Sequence, residues 1–198
     1  MTLPDLLREF DHRLLLAINH AHTPTLDALM SFASDRRVWL PFYVALAGWL
    51  IWHFRRGAWR LLPLLGAAVG LADSITSRLF KPLFGRLRPC HALDLAAQLH
   101  LPDGCGGQFG FLSSHAANSF ALATFLLLVL PAGRFRGLRI GVLLWAAWLS
   151  YSRIYLGAHY PSDVLGGAAV GALLAAGAAS LFQRWQLRSS AVIQRLPG

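Results

Sequence analysis

Three short clusters of polar residues interrupt a sequence that is otherwise rich in long apolar runs. They are "KPLFGRLRP" at 81–89, "SSH" at 113–115 and "SRIYLGAHYPSD" at 152–163. Each cluster lies at one end of an apolar run, so a bundle of helices built from those runs could bring all three together. They offer cations, hydroxyl groups, imidazoles and a carboxylate. These are the groups that bind a phosphate and transfer it.

Five residues of these clusters are suited to holding a phosphate group: Lys81, Arg88, Ser113, Ser114 and Arg153. An arginine fork matches the oxygens of a phosphate, and a lysine adds a point charge. A helix that begins at the second cluster would add backbone N–H groups and the positive end of its dipole. Each residue alone has a plainer interpretation, because serines often cap helices and arginines at span ends often reach for the membrane surface.

Two histidines and an aspartate could carry out the chemistry. His159 and Asp163 are four positions apart at the start of an apolar helix, so the carboxylate can orient the imidazole and leave its other nitrogen nucleophilic. His115 could protonate the leaving oxygen, since an imidazole titrates near neutrality. This pattern predicts phosphoryl transfer through a phosphohistidine, without metal or other cofactor. A surface pair and a metal site at these three residues are alternatives, although the nearby cations argue against a metal.

The three clusters resemble the motifs of the type 2 phosphatidic acid phosphatase family. The family pattern is Lys-x6-Arg-Pro, then Pro-Ser-Gly-His, then Ser-Arg-x5-His-x3-Asp. The first and third motifs are complete here, and the match extends from Lys81 to Asp163. The second motif departs twice, because Leu112 replaces the proline and Ser114 replaces the glycine. Serine resists backbone conformations that glycine adopts, so this departure is expected to affect local geometry only.

The resemblance implies an integral membrane lipid phosphatase with a helical-bundle core that is often counted as six helices. It implies His159 as the nucleophile, Asp163 as its partner and His115 as the general acid. It also implies a set of phosphate ligands: Lys81, Arg88, Ser113 and Arg153. Soluble vanadium haloperoxidases share these motifs, but the hydropathy of this chain argues against that class.

The composition is that of a membrane protein. Hydrophobic residues make up 56% of the 198 residues and charged residues only 14%, whereas about 25% is usual in soluble domains. The net charge is +9, but the arginines lie in short clusters between apolar runs. That placement favours membrane topology and anionic lipid over nucleic acid as the reason for the charge.

The apolar runs predict an all-α integral membrane bundle with about five to six transmembrane helices. An amphipathic helix over 3–20 is expected to lie at the membrane interface or to pack on the bundle, and a short helix over 24–35 follows. We therefore divide the chain into an N-terminal segment, 1–37, and a membrane-embedded core, 38–198. The predicted spans are approximately 38–54, 61–80, 115–131, 138–156 and 163–183.

Basic residues follow the first, third and fifth predicted spans, and the positive-inside rule makes that side cytoplasmic. The three polar clusters then face the periplasm or exterior, which in a bacterium indicates the inner (plasma) membrane. Cys90 and Cys105, the two cysteines, both lie in the connection between the first two clusters. On the outer side they could form a disulfide, with two free thiols as the alternative.

We expect a hydrolase that acts on a lipid phosphate or diphosphate in the bilayer. Small members of the resembled family make undecaprenyl diphosphate the first choice of substrate, with phosphatidylglycerophosphate or lipid A as the alternative. A non-enzymatic lipid-binding scaffold is a second class. A transporter is disfavoured because only Asp73 is clearly an ionisable residue deep within a span. The sequence does not determine the lipid tail or the oligomeric state.

Overall fold

The computed structural model describes residues 2–193, and these are organised as helices without a β-strand. The prediction of an all-α fold is therefore confirmed for this part of the chain. The eight α-helices are α1 (Leu3–Asn19), α2 (Pro24–Ser34), α3 (Leu40–Phe54), α4 (Ala58–Ser74), α5 (Lys81–Phe84), α6 (Ser114–Val129), α7 (Ala132–Tyr155) and α8 (Pro161–Ile193). A π-helical segment, Ile75–Phe80, joins α4 to α5.

Helix α6 lies at the centre of the bundle and packs against α4, α7 and α8. Ala117, Ala121 and Phe125 on α6 have no exposed surface. The contact with α8 is especially close, because a Cβ atom added at Gly171 would overlap the backbone oxygen of Ala117. Small residues let helix backbones approach each other in this way. The close approach fixes the start of α6 against the start of α8, where two of the three polar clusters lie.

Two helical segments are long and apolar enough to cross a membrane, Leu40–Phe84 and Pro161–Leu187. The first of them contains α3, α4 and α5, and its backbone leaves the helical conformation at Arg55, where φ is 46°. Helix α6 is apolar but shorter. A count of five to six transmembrane helices therefore stays a prediction, although a helix covers most of each predicted span.

The N-terminal helix packs on the bundle by a narrow face. Asp11, Leu15 and Asn19 are four positions apart on α1 and are almost completely buried. The Asn19 amide donates to the backbone oxygens of Tyr155 and His100 at 2.7 and 2.8 Å. The predicted helix over 3–20 is confirmed. Two of its three buried side chains, those of Asp11 and Asn19, are polar. The division of the chain at residue 37 stays a prediction.

The connection between α5 and α6 covers the end of the bundle where the polar clusters lie. A disulfide joins Cys90 to Cys105, with their Cα atoms 5.8 Å apart. The Arg88 N–H donates to the oxygen of Gln108 at 2.9 Å, and the Gly110 N–H donates to the oxygen of Arg86 at 2.9 Å. These bonds hold the first polar cluster beside the segment that leads into the second.

Candidate active site

Hydroxyl groups connect the start of α6 to the segment that precedes the first polar cluster. Ser113 is the N-cap of this helix, and its Oγ accepts from the Ala116 N–H at 3.5 Å. The Ser114 Oγ lies 2.9 Å from the Thr76 hydroxyl and 2.8 Å from the Ser77 hydroxyl, both on the π-helical segment that leads to Lys81. The serine that departs from the resembled motif thus joins the second cluster to the helical segment that leads into the first.

A cavity of about 450 Å³ opens between α3, α4, α6 and α7. It brings together residues from all three polar clusters, and five of the eight predicted site residues line it. The lining residues are Arg36, Tyr43, Val69, Asp73, Ser77, Lys81, Arg88, Ser114, His115, Asn118, Ser119, Leu122, Trp145, Leu149 and His159.

The other three predicted site residues, Ser113, Arg153 and Asp163, lie behind the lining. Ser113 and Asp163 have no exposed surface, and the Ser113 N–H donates to the backbone oxygen of Asp163 at 3.0 Å. Arg153 donates through Nη1 to the hydroxyl of Ser34. The Arg153 Nε is buried without a hydrogen-bond partner among residues 2–193.

His159 lies in the short connection between α7 and α8 and is 1% exposed. Its Nδ1 is 3.5 Å from Oδ2 of Asp163, in the first turn of α8. This distance is long for a hydrogen bond, as catalytic contacts often are before substrate binds. Burial first, and then the nearby Arg153 and Arg88, hold the pKa of His159 well below its usual value. The imidazole is therefore neutral, the form that a nucleophile requires.

Asp163 is held from its other side by residues that the sequence did not single out. Arg86 donates through Nη1 to Asp163 Oδ1 at 2.8 Å and through Nη2 to Asp11 Oδ2 at 2.6 Å. The Ser162 N–H donates to Asp11 Oδ1 at 2.8 Å. We call Asp11, Arg86, Ser162 and Asp163 the brace. It fixes the carboxylate that faces His159 and connects it to the N-terminal helix.

The cations of the cavity have no such partners. Within residues 2–193, Lys81 and Arg88 form no ion pair with a carboxylate. Arg88 donates through Nε to the oxygen of Phe109 at 3.3 Å, and its burial lowers its pKa. A Cβ added at Gly106 would lie 2.5 Å from Nη1 of Arg88, so the backbone passes close to the guanidinium at this glycine. Among the described residues, Lys81 and Arg88 thus line the cavity as cations without an ion-pair partner, and Asp73 is a carboxylate in the same lining.

Metal ligation by His115, His159 and Asp163 is the alternative to phosphate chemistry. The donor atoms of these three residues do not lie close enough together to bind one metal ion. In the described part of the chain two other groups do so. One contains the disulfide-bonded Cys90 and Cys105 with His91, and the second consists of His22, Asp27 and His100. Both lie outside the residues that line the cavity.

Residues 58–187 match the profile of the PAP2 superfamily. The chain is 39% identical over 173 residues to a lipid A 4'-phosphatase of Bacteroides thetaiotaomicron, covering 84% of this chain and 74% of that protein. It is 37% identical to a decaprenylphosphoryl-5-phosphoribose phosphatase of Mycobacterium tuberculosis, covering 77% and 76%. Similarity to the undecaprenyl-diphosphatase BcrC of Bacillus subtilis is lower, at 26% identity with 77% and 73% coverage.

A solved structure shares this arrangement of helices. The crystal structure of Aquifex aeolicus LpxE superimposes with a TM-score of 0.63 at 26% identity, covering 84% of this chain and 92% of that one. The polar clusters thus sit in an architecture that a solved protein also adopts.

Proposed function

Because this chain belongs to the PAP2 superfamily and is a membrane lipid phosphatase, we propose that its substrate is a lipid A-type glycolipid with a phosphate on a sugar. The observation that carries the catalytic part is the cavity, where unpaired cations surround a neutral, buried His159. The lipid A relative is 39% identical, and the mycobacterial relative is named for a phosphoribose-bearing lipid. Undecaprenyl diphosphate, the substrate favoured from the sequence, is supported less well because the relative named for it is 26% identical.

The reaction begins with attack by His159 Nε2 on the phosphorus of the substrate. A P–N bond forms while the P–O bond to the sugar breaks, and His115 gives its proton to the departing oxygen. Water then attacks the phosphohistidine, and His115 takes a proton from it, which releases inorganic phosphate and restores His159. Asp163 accepts a hydrogen bond from the Nδ1–H of His159 and stabilises the positive charge that develops on the imidazole during attack.

Positive charge stabilises the transferring phosphoryl group. Lys81 and Arg88 line the cavity, and Arg153 lies behind it with an unpartnered Nε. The start of α6 adds backbone N–H groups and the hydroxyl of Ser114, with Ser113 as the cap that sets their direction. Donors placed where charge develops commonly contribute the largest part of such a rate enhancement.

The site is proposed to face the periplasm or exterior of a bacterial inner membrane. The disulfide between Cys90 and Cys105 supports an oxidising compartment for the connection that covers the cavity. Arginines on the far side of the bundle support a cytoplasmic location for that side. Arg195, one of the basic residues that follow the fifth predicted span, lies outside the described residues.

Phosphate release from a panel of lipids in detergent, with EDTA present, tests the proposal. The wild-type protein should hydrolyse lipid A in preference to undecaprenyl diphosphate and phosphatidylglycerophosphate, and His159→Ala should abolish release. His53→Ala is the matched control, because His53 lies in the last turn of α3, outside the cavity lining. Full activity in His159→Ala would overturn the nucleophile assignment. Absence of release from every lipid would favour a lipid-binding scaffold.

A further inference from the structure

The cavity continues past the two histidines into the bundle, and its inner part is polar. Asn118 and Ser119 follow His115 by three and four residues on α6, which places them about 5 Å further along the helix. Asp73 on α4 lies at the same depth, because its Oδ1 accepts from the Asn118 amide at 3.0 Å. A carboxylate and an amide thus stand one helical turn below the phosphate-binding end.

Two buried polar atoms of this inner region have no partner among the described residues. They are Oδ1 of Asn118, an acceptor, and Nε1 of Trp145, a donor. Both side chains line the cavity, and Trp145 is only 9% exposed. Leaving a buried polar group without a partner is unfavourable. The Ser119 and Ser150 hydroxyls are 3.4 Å apart, and Trp145 lies five residues further from the site along α7, about 7 Å deeper than Asn118 and Ser119. The two atoms therefore indicate a ligand that supplies hydrogen bonds at two levels of the cavity.

Deeper still, the lining becomes largely apolar. Leu122 follows His115 by seven residues, about 10 Å along α6, and Val69 and Tyr43 line the cavity with it. From the histidines inward, the cavity therefore offers cations, then hydrogen-bonding groups, then apolar surface. An acylated sugar phosphate presents its phosphate, its hydroxyl groups and its chains in the same order.

We infer that Asp73 and Asn118 form a sugar-binding subsite that reads hydroxyl groups next to the phosphate, with Trp145 donating to an acceptor at the acyl linkage. This inference rests on the proposed function and identifies the residues that select its substrate class. A sugar hydroxyl both donates and accepts, so it can satisfy the Asn118 oxygen and the Asp73 carboxylate. A polyprenyl chain offers neither, and a site built for hydroxyl groups disfavours an analogue that lacks them.

The test compares two substrates on matched variants. Rates of phosphate release in detergent are measured for lipid A and for undecaprenyl phosphate, with wild type, Asn118→Leu and Asp73→Asn. We expect each variant to lower kcat/KM for lipid A by about ten- to a hundredfold. For the polyprenyl lipid, kcat/KM should change by less than about threefold. Gln183→Leu is the control, since its amide bonds the oxygen of Leu128 at the other end of α6.

The result that supports the subsite is a selective loss on the sugar lipid in a variant that unfolds at the wild-type temperature. Asp73→Asn keeps the shape of the side chain, so it tests the inference even if Asn118→Leu fails to fold. An equal loss on both lipids, or no loss on either, would overturn the subsite and leave the phosphatase proposal intact. A wild-type protein that hydrolyses neither lipid would instead overturn the proposed function, and the subsite with it.

Discussion

Arg86 and Arg88 are two positions apart in the sequence, yet their guanidinium groups have opposite surroundings. Arg86 lies between the carboxylates of Asp11 and Asp163, at 2.6 and 2.8 Å. Arg88 lines the cavity and bonds a single backbone oxygen, that of Phe109. One charge is neutralised inside the protein, and the other is left for a ligand.

The difference separates residues that build the site from residues that bind. A charge buried between opposite charges stabilises the fold only as a complete set, because removing one member leaves the others unpaired. A buried cation without a carboxylate partner destabilises the folded protein. An anionic substrate that pairs with this cation on binding removes the destabilisation. Arg86 and Asp11 should therefore matter chiefly for stability, and the cavity cations for catalysis.

The largest expected effect follows from replacing Arg88. Arg88→Gln should lower kcat/KM for lipid phosphate release by about a thousandfold, as loss of a donor to a charged transition state does. Its melting temperature should equal that of wild type or exceed it, because a buried unpaired cation is removed. A marked loss of stability with retained activity would contradict this separation of roles.

Replacing Arg86 should have the opposite pattern. Arg86→Gln leaves the buried carboxylates of Asp11 and Asp163 without their shared partner and should lower the free energy of unfolding by about 3 kcal/mol. We take the low end of the usual range because the Arg86 side chain is 28% exposed. Unfolding in detergent, followed by circular dichroism, measures the change.

A double-mutant cycle sharpens this prediction. Asp11→Asn removes one of the two negative charges, so the pair Asp11→Asn with Arg86→Gln should be less destabilised than the sum of the single variants. Additive effects would show that the contact between the N-terminal helix and Arg86 does not stabilise the protein.

The ionisation of His159 responds to the unpaired cations. Because burial and those cations lower its pKa, the imidazole should remain neutral at pH 6.5, where an unperturbed histidine is half protonated. Arg88→Gln removes a positive charge and should therefore raise the pKa. Histidine-selective nitrogen NMR in detergent, with His159→Gln to assign the signal, follows the titration. Protonation at pH 6.5 or above in the wild-type protein would contradict this description of the cavity.

The smallest expected effect concerns Ser114. Ser114→Gly restores the motif of the family but removes the contacts with Thr76 and Ser77. It should lower the free energy of unfolding by about 1 kcal/mol. It should reduce kcat/KM only a few-fold, because the π-helical segment that leads to Lys81 is then held less firmly against the start of α6. Thermal unfolding and the lipid phosphatase assay measure both quantities, and a gain in stability would argue against a structural role for the hydroxyl.

The sequence was sufficient to predict the helices from their periodicity, and the meeting of the three clusters from their positions at the ends of apolar runs. The brace could not be predicted in this way. Asp11 and Arg86 are 75 positions apart, and Asp11 occupies a position on the buried face of α1 where an apolar residue is expected. The Lys-x6-Arg-Pro motif selects Arg88 and leaves Arg86 without an assigned role.

The inner part of the cavity was missed for a related reason. Asp73 was recognised as an unusual charge within a span, but its role depends on Asn118, 45 positions away on another helix. The proposed preference for a sugar phosphate likewise rests on side chains that converge below the histidines from different helices. The motifs identify the phosphate and carry no information about the group attached to it.

The most direct test of the central claim is to trap the phosphoryl group on His159. Protein mixed briefly with lipid A labelled with radioactive phosphorus is quenched in alkaline detergent, since phosphohistidine survives base better than acid, and the labelled peptide is identified. We predict label on the peptide that contains His159 and none on His159→Ala. Label at another residue, or label retained by His159→Ala, would contradict the account.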